Sequence, residues 1–587
     1  MRKTKIICTL GPASDTENVL HEMILAGMDV ARINFSHGIY EEHKKKIDLI
    51  KKLREKTGKH IALLLDTKGP EVRTGCFKEG RVTLRAGQDF TLTVNECDGT
   101  DEIVSVSYKD LPKDVEEGTR ILIDDGLIAL TVKKVTDTDI LCRVINGGEV
   151  SNRKGINIPG VRLSMPFLSD KDKSDLAFGV EQGFDFIAAS FTRTAKDIAD
   201  MRDELERLGC NDMRIIAKIE NAEGVENMDD ILRVADGIMV ARGDMGVEIA
   251  YEDIPIIQKK MISRCYMAGK QVITATQMLE SMKNNPRPTR AEANDVANAI
   301  YDGTSAIMLS GETAAGQYPV EAVRTMARIA ERAETDIDYK TRLAARAPET
   351  FANVTTAISH ATCTTASDLK AAAIITVTKT GSTARMISKF RPETPIIGCS
   401  MDEKICRQMN MSWGVTPIKI DEMKSTDDLF AASVAEAYNQ GLVKFGDLVV
   451  ITAGVPLGIP GTTNLLKVHV VGDVLAQGIG VTDNTVCGNL CVAKNEEEAR
   501  RFFKDGDILV IPETSNDIMD LLRRAKGIIC EHPGVNSHAA IVGAALSLPV
   551  IVGATGATKI LRSGTTVTLD GKRGTVFSGD SHLFRVK

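Results

Sequence analysis

What most constrains the fold of this chain is an alternation: short β-branched runs separated by amphipathic helical stretches, repeated eight times in the first 310 residues. The candidate strands are Lys5 to Thr9, Asp29 to Asn34, Ile61 to Asp66, Asp185 to Ser190, Arg214 to Ile219, Gly237 to Ala241, Gln271 to Thr276 and Ser305 to Leu309. Such βα alternation builds a parallel sheet. Eight repeats point to a closed (β/α)8 TIM barrel, with an open doubly wound sheet as the alternative.

The third and fourth runs are separated by residues 70–166, whose texture differs. Arg81 to Val94, Ile121 to Val132 and Ile140 to Val144 alternate with turn residues, as strands of an inserted β-barrel lid domain would. The insert leaves from a loop at the C-terminal ends of the barrel strands, where lids belong. After the helical stretch Val320 to Arg342, the polar segment Leu343 to Thr350 marks a boundary. The expected division is a catalytic barrel at 1–69 and 167–345, the β lid at 70–166, an α/β domain at 346–473 and an appended glycine-rich domain at 474–587. A chain of 587 residues has room for about four domains.

Charge and cysteine usage exclude several classes. A net charge of -7 argues against a nucleic-acid surface, which needs clustered Lys and Arg in excess. The start, MRKTKIICTLGP, runs directly into a strand without a signal-like apolar stretch, so a cytoplasmic protein is expected. The longest apolar run, Ala539 to Ala557, is broken by Ser547 and Pro549 and reads as helix, turn and strand rather than a membrane span. The twelve cysteines are scattered, and the nearest pair, Cys487 and Cys491, lacks partners at zinc-site spacing. Buried reduced thiols are expected.

Active sites of barrels lie at the C-terminal ends of the strands. There this sequence places Arg32, Asn34, Ser36 and His37 after strand two; Asp66, Thr67, Lys68 and Arg73 after strand three; and Ser190 after strand four. Lys218, Glu220 and Asn221 follow strand five, Arg242, Gly243 and Asp244 strand six, Thr276 and Gln277 strand seven, Ser310 and Glu312 strand eight. Glu220 and Asp244 close neighbouring strands and can share one hard divalent cation, Mg²⁺ or Mn²⁺, completed by substrate oxygens and water. Lys218 has the strand parity of Glu220 and so aims at the same space, where a transferring phosphoryl needs positive charge. Gly243 permits close backbone approach, and N–H groups of the helix after it suit a carboxylate. Asn34, Ser36, Asp66 and Thr67 offer neutral oxygens and one carboxylate, a set suited to K⁺. Arg32 and Arg73 are planar forks suited to phosphate.

These residues resemble the pyruvate kinase family over about residues 1 to 472. The strings are RINFSHG (Arg32 to Gly38), LDTKGPEVRTG (Leu65 to Gly75), KIENAEG (Lys218 to Gly224), MVARGDMG (Met239 to Gly246), and ATQMLESM with PRPTRAEANDVANA within Ala275 to Ala299. The resemblance implies phosphoryl transfer from phosphoenolpyruvate to ADP, giving pyruvate and ATP, in a homotetramer. It implies Lys218, Thr276 and Arg73 as catalytic groups, with phosphoenolpyruvate held by Arg32, Ser190, Lys218, Gly243, Asp244 and Thr276. Nucleotide contacts would come from Asn34, Phe35, Ser36, His37, Arg73 and Lys154, the last brought by the insert as it closes. Glu220 and Asp244 match the Mg²⁺ ligands, Asn34, Ser36, Asp66 and Thr67 the K⁺ ligands, and Glu71 the members that need K⁺. A barrel lyase or aldolase using the same metal explains Glu220 and Asp244 but leaves the K⁺ set, Lys154 and the lid without work. An inactive phosphate-sensing regulator has no need of intact Lys218, Glu220, Asp244 and Thr276.

Two further sites are expected. Thr378, Lys379, Thr380, Gly381, Ser382 and Thr383 follow the apolar strand Ala371 to Val377 and precede a helix, an arrangement of hydroxyls, lysine and free N–H groups that suits an anion. In the resembled family an allosteric pocket lies there, partly closed by a loop matching Ala453 to Thr463. This implies a phosphorylated effector, a sugar phosphate or AMP. Residues 475 to 587 carry PGVNSHAAIVGAALSLPVIVG, which resembles the mobile phosphohistidine domain of phosphoenolpyruvate synthase and pyruvate phosphate dikinase, with His538 at the phosphorylated position. Asn536 stands where a threonine is usual, and no partner nucleotide-binding domain is evident. The tail is therefore read as a retained structural module.

Overall fold

The computed structural model describes residues 2–345, 353–423, 425–455, 463–472 and 474–578. Residues 346–350 of the expected boundary segment, 456–462 of the expected effector loop and Asp473 at the expected domain junction lie outside these. The described chain divides into two compact units, one of residues 1–367, 374–429 and 452–466, the other of residues 368–373, 430–451 and 467–587.

In the first unit all eight expected strands form: β1 (Lys5–Thr9), β2 (Val30–Asn34), β3 (Ala62–Asp66), β4 (Phe186–Ala189), β5 (Arg214–Ile219), β6 (Gly237–Ala241), β7 (Gln271–Ala275) and β8 (Ala306–Leu309). They pair in order, and β1 is parallel to both β2 and β8, so the sheet is a closed barrel rather than an open one. Side chains alternate across the barrel wall, as period two requires. Val30, Ala62, Leu64, Phe186, Ala188 and Ile216 fill the interior, whereas Ala31, Leu63, Leu65, Ile187, Ile215 and Ala217 pack against the surrounding helices. The inward parity of each strand then continues into its C-terminal end: Arg32 and Asn34, Asp66, Ser190, Lys218 and Glu220 all follow inward-facing residues. That alternation gathers the polar ends at one mouth.

The helices around the barrel start and stop on local signals. Ser169 caps Asp170–Gln182 by accepting from Asp172 N, and Gly183 ends it in the left-handed conformation at φ 72°. Thr289 and Gly303 do the same for Arg290–Asp302. The expected helical stretch Val320 to Arg342 is two helices, Pro319–Thr335 and Tyr339–Ala345, interrupted at Asp336. Between β3 and β4 the insert forms a seven-stranded sheet and a two-stranded one over its own core of Phe90, Leu92, Ile121, Leu130, Val132 and Ile140. Further along, strands Ala373–Val377, Ile396–Ser400 and Val415–Lys419 run parallel.

The second unit contains a mixed eight-stranded sheet whose order runs from Val474–Gln477 through Thr485–Val492 and Gly527–Cys530 to Ile479–Gly480. Phe577 of this sheet packs edge-on against Phe445, with ring centroids 4.9 Å apart. Among the described residues no helix is long and apolar enough to cross a membrane. All twelve cysteines are free thiols. Most are buried as expected, but Cys76 is exposed because it follows the edge strand Val72–Arg73 as the chain enters the insert.

His43, on the helix Tyr40–Thr57, is only 4% exposed and its ring lies 4.5 Å from that of Phe35. Burial, helped by Lys46 and Lys171, lowers its pKa from 6.5 to about 4. Between those values the unfolded chain takes up a proton that the folded one refuses, so stability is lost as pH falls from 6.5 towards 4, by at most about 3 kcal/mol. His43→Gln is expected to flatten the pH dependence of the unfolding free energy across that window, as measured by denaturant titration.

Candidate active site

The barrel mouth is organised around buried charge. The Asp66 carboxylate, 1% exposed, receives Arg32 Nε on Oδ2 at 2.6 Å and the Lys218 ammonium on Oδ1 at 3.1 Å. Burial would raise this carboxyl, but Arg32 and Lys218 hold it below its ordinary value. Lys218 also donates to Ser190 Oγ at 2.8 Å and lies 3.0 Å from Glu220 Oε1. Burial disfavours its charge, yet Asp66 and Glu220 together keep its pKa above that of a free lysine. Its ammonium is held in place by three oxygens. Arg32 is anchored at its other end by Thr9 Oγ1, 2.7 Å away.

Glu220 is buried beside a second acid, Asp244. Its Oε2 accepts from Phe191 N at 2.6 Å, a contact made possible by Phe191 adopting φ 53°. Its Oε1 receives no hydrogen bond; Lys218 stands beside that oxygen outside hydrogen-bonding geometry. Burial pushes the Glu220 pKa up to about 8, Asp244 adds to the rise, and Lys218 opposes it. Burial also raises Asp125 and Glu248, and in both cases Asp244 contributes. A buried carboxylate oxygen without a hydrogen-bond donor, amid acids that repel one another, is an arrangement that a hard cation relieves. Among the described residues no group of three His, Cys, Asp or Glu side chains converges as a complete metal site. Two carboxylates that leave positions for substrate oxygens are what a catalytic Mg²⁺ requires.

Opposite them lies Thr276, which with Gln277 forms a consecutive left-handed pair at φ 66° and 55°. Two non-glycine residues in that region store strain, which something must hold. Arg242 does so: its guanidinium donates to Thr276 O at 2.6 Å and Ala275 O at 3.2 Å and is itself gripped by both oxygens of Asp295 at 2.7–2.8 Å. The result directs Thr276 Oγ1 to accept from Gly243 N at 2.8 Å, beside Asp244 in the first turn of the helix Arg242–Glu248.

A cleft of about 530 Å³ opens from this mouth towards the insert, lined by His37, Arg73, Asp125, Lys154 and Asp244 among others. Arg73 is held by Glu71 at 2.8 Å and by Arg153 O at 2.9 Å; Lys154 pairs with Asp124 at 2.9 Å. In the β2 loop, Asn34 Oδ1 accepts from Ser36 N at 3.0 Å, while the Phe35 ring is buried among Tyr40, His43, Phe178 and Phe184. What this loop can offer a ligand therefore comes from Asn34, Ser36 and His37. Thr67 Oγ1 accepts from Ser190 N at 3.1 Å and donates to Ala188 O at 3.3 Å.

Away from the mouth, Thr378 and Thr383 are buried, Lys379 is exposed, and Gly381 caps the helix Ser382–Lys389 at φ 74°. Thr383 Oγ1 lies 3.0 Å from Thr463 Oγ1, which brings the far end of the expected effector loop onto this turn. In the second unit His538 opens the helix His538–Leu546. Its Nδ1 faces Thr514 Oγ1 at 2.9 Å and its Nε2 faces Asn516 Oδ1 at 3.0 Å.

A family model described as "Pyruvate kinase, barrel domain" matches residues 1–323, and one described as "Pyruvate kinase, alpha/beta domain" matches residues 356–469. The chain belongs to the pyruvate kinase family. It is 50% identical over 584 residues to the pyruvate kinase of Geobacillus stearothermophilus and 49% identical over 585 residues to that of Sporosarcina psychrophila, covering 99% of this chain and 100% of each relative. A crystal structure of a pyruvate kinase from Cryptosporidium parvum, 40% identical, superposes with a TM-score of 0.76 over 80% of this chain and 96% of that one. A third model, "PEP-utilising enzyme, mobile domain", matches residues 503–574. The chain is thus a kinase of the glycolytic family, with a nucleotide-binding TIM barrel and a tail of the mobile-domain family.

Several site residues escaped sequence reasoning. Asp125 and Glu248 lie in the insert and inside a helix, not at a strand end. The Asp124-Asp125-Gly126 turn, with φ of 56°, 53° and 84°, and the four-residue spacing of Asp244 and Glu248 on one helix were the legible signals. Arg242 was legible as a strand end but not as the clamp on Thr276. Arg242→Leu is expected to lower turnover by about two orders of magnitude, because the loss of its bonds lets the strained Thr276 backbone relax. Unchanged steady-state turnover would show that β7 alone holds that residue.

Proposed function

We propose that this chain transfers the phosphoryl group of phosphoenolpyruvate to ADP, giving pyruvate and ATP. The observation that carries the reading is the Lys218 ammonium, fixed by Asp66, Ser190 and Glu220, at a mouth that opens into a cleft with Arg73 and Lys154 on its far wall. The bond from phosphorus to the enol oxygen breaks while a terminal phosphate oxygen of ADP forms the new one, and the enolate takes a proton from solvent water at its methylene carbon. Lys218 stays beside the phosphoryl throughout, where a loose transition state gains most from positive charge. Arg32 holds phosphate oxygens of phosphoenolpyruvate and Arg73 those of the nucleotide, and N–H groups at Gly243 and Asp244 hold the substrate carboxylate, the first of them released by Thr276 Oγ1. Thr276 stands at the enolate face where the proton arrives. Asn34, Ser36, His37 and Lys154 bind the nucleotide, with Phe35 setting the loop from below.

Glu220 and Asp244 would hold Mg²⁺ or Mn²⁺, which when bound neutralises the enolate, carboxylate and phosphate oxygens. Asn34, Ser36, Asp66 and Thr67 would hold K⁺, with Glu71 nearby. The hydrogen bonds made by Asn34 Oδ1, Asp66 Oδ2 and Thr67 Oγ1 leave each oxygen a lone pair to spare.

The turn Thr378 to Thr383 is read as the site of a phosphorylated activator, a sugar phosphate or AMP, in a cytoplasmic homotetramer. The tail is read as a structural module. Asn536 in the place of the usual threonine favours that reading; Thr514 and Asn516 orient the His538 ring at its two nitrogens.

Pyruvate should form from phosphoenolpyruvate only when ADP, a divalent metal and K⁺ are present, as followed by a coupled dehydrogenase. Pyruvate formation independent of ADP would sink the assignment. Lys218→Met should reduce turnover by about a thousandfold with metal binding retained, and full activity would remove Lys218 from the mechanism. Truncation after Asp473 should leave turnover per folded molecule largely intact while lowering the thermal midpoint, since it strips Phe577 from Phe445. An inactive but folded truncation would overturn the structural reading of the tail.

A further inference from the structure

The insert leaves the barrel at Gly69 and returns at Ser169, and these two connections meet on a single carboxylate. Asp172 is wholly buried. Its Oδ1 accepts from Gly69 N at 3.1 Å, and its Oδ2 accepts from Ser169 N at 3.0 Å and the Ser169 hydroxyl at 2.5 Å. Helix capping accounts for the Ser169 half. The bond to Gly69 crosses to the outgoing connection and has no capping purpose.

Gly69 itself has no room for a side chain and packs closely on Ser190. It sits at φ 71°, and a Cβ there would fall 2.8 Å from Ser190 O and 2.9 Å from Ser190 Cβ. Ser190 is the residue that receives Lys218. One position before Asp172, Lys171 Nζ donates to Phe35 O at 2.9 Å and to Asp175 Oδ2 at 2.6 Å, and Asp175 Oδ1 accepts from Tyr40 OH at 2.7 Å. The first turn of the helix Asp170–Gln182 therefore ties together both connections of the insert and the β2 loop.

We infer that Asp172 is a positioning residue for the nucleotide half of the reaction. It pins the insert's two connections together so that Arg73 and Lys154 face the loop Asn34 to His37, which Lys171 holds in place. Asp172 touches neither substrate nor metal. The inference rests on the reading of Arg73 and Lys154 as nucleotide groups.

The test compares Asp172→Ala, Asp172→Asn and Lys171→Met with Lys154→Met, each in the full-length enzyme. Asp172→Ala should raise KM for ADP about tenfold and lower kcat, because the buried Gly69 N–H and the Ser169 N–H lose their acceptor. KM for phosphoenolpyruvate should stay within about twofold, since of its proposed ligands only Ser190 adjoins the pinned connection, and Arg32, Lys218, Gly243, Asp244 and Thr276 lie elsewhere on the barrel. Asp172→Asn keeps one acceptor oxygen and should fall between Asp172→Ala and the native enzyme; if Asp172→Ala does not fold, this variant decides by the same split. Lys171→Met should raise KM for ADP with little effect on phosphoenolpyruvate. Equal changes in both KM values, or none, would overturn the inference. A KM for ADP unmoved by Lys154→Met would remove the nucleotide reading itself. Hydrogen exchange at the Gly69 and Ser169 amides, expected to accelerate about tenfold in Asp172→Ala, would then still decide whether Asp172 pins the hinge; unchanged exchange would refute it.

Discussion

The whole catalytic mouth depends on the Asp66 carboxylate being buried between Arg32 and Lys218. A lysine in that position would lose its charge to desolvation unless an anion answered it, and a lone buried anion would be as costly. Each of the three groups makes the others tenable. The consequence is a cation that remains a cation and is fixed in direction by Ser190 as well as by Asp66. Electrostatic catalysis asks for such preorganisation, because a charge already in place needs no rearrangement as the phosphoryl moves.

Around that pair, opposite requirements are met a few residues apart. Glu220 has no cation of its own beyond a shared edge of Lys218, and Asp244 worsens its position. The protein leaves this imbalance standing where a metal would settle it. On the far side Thr276 is kept in a strained left-handed conformation by a guanidinium that is itself held by Asp295. Strain and uncompensated charge, both of which destabilise a fold, are concentrated at the one place where they have chemical use.

Much of this was legible in the order of residues, for a specific reason. Strand parity is local: once Ile216 faces inward, Lys218 and Glu220 must too, and the same count carries Leu64 to Asp66 and Ala188 to Ser190. The eight strands were likewise marked by β-branched runs, and their bounds moved by a residue or less. What parity does not encode is which of two hydrogen-bonding tasks a side chain takes. Arg242 and Arg32 both read as arginines at strand ends. One of them clamps backbone, while the other braces a carboxylate and faces the mouth. Phe35 stood in a string of nucleotide contacts, yet its ring belongs to the core. The approach of Asp125 to Asp244 depends on where the insert hangs, and no spacing within the sequence expresses that, whereas Glu248 follows Asp244 by four residues on one helix.

By itself, then, the sequence determined a closed eight-stranded barrel with an insert after the third strand, the identity of the groups at its mouth, and membership of the pyruvate kinase family. These follow from periodicities of two and 3.6 residues and from contiguous strings, both of which survive without coordinates. Tertiary structure alone decided how the charges pair, which residue holds the strained backbone of Thr276, and how the insert is fastened to the barrel. Each of these joins residues far apart along the chain, Lys218 to Asp66, Arg242 to Asp295 and Gly69 to Asp172. Such contacts are set by chain closure and burial, not by any local rule.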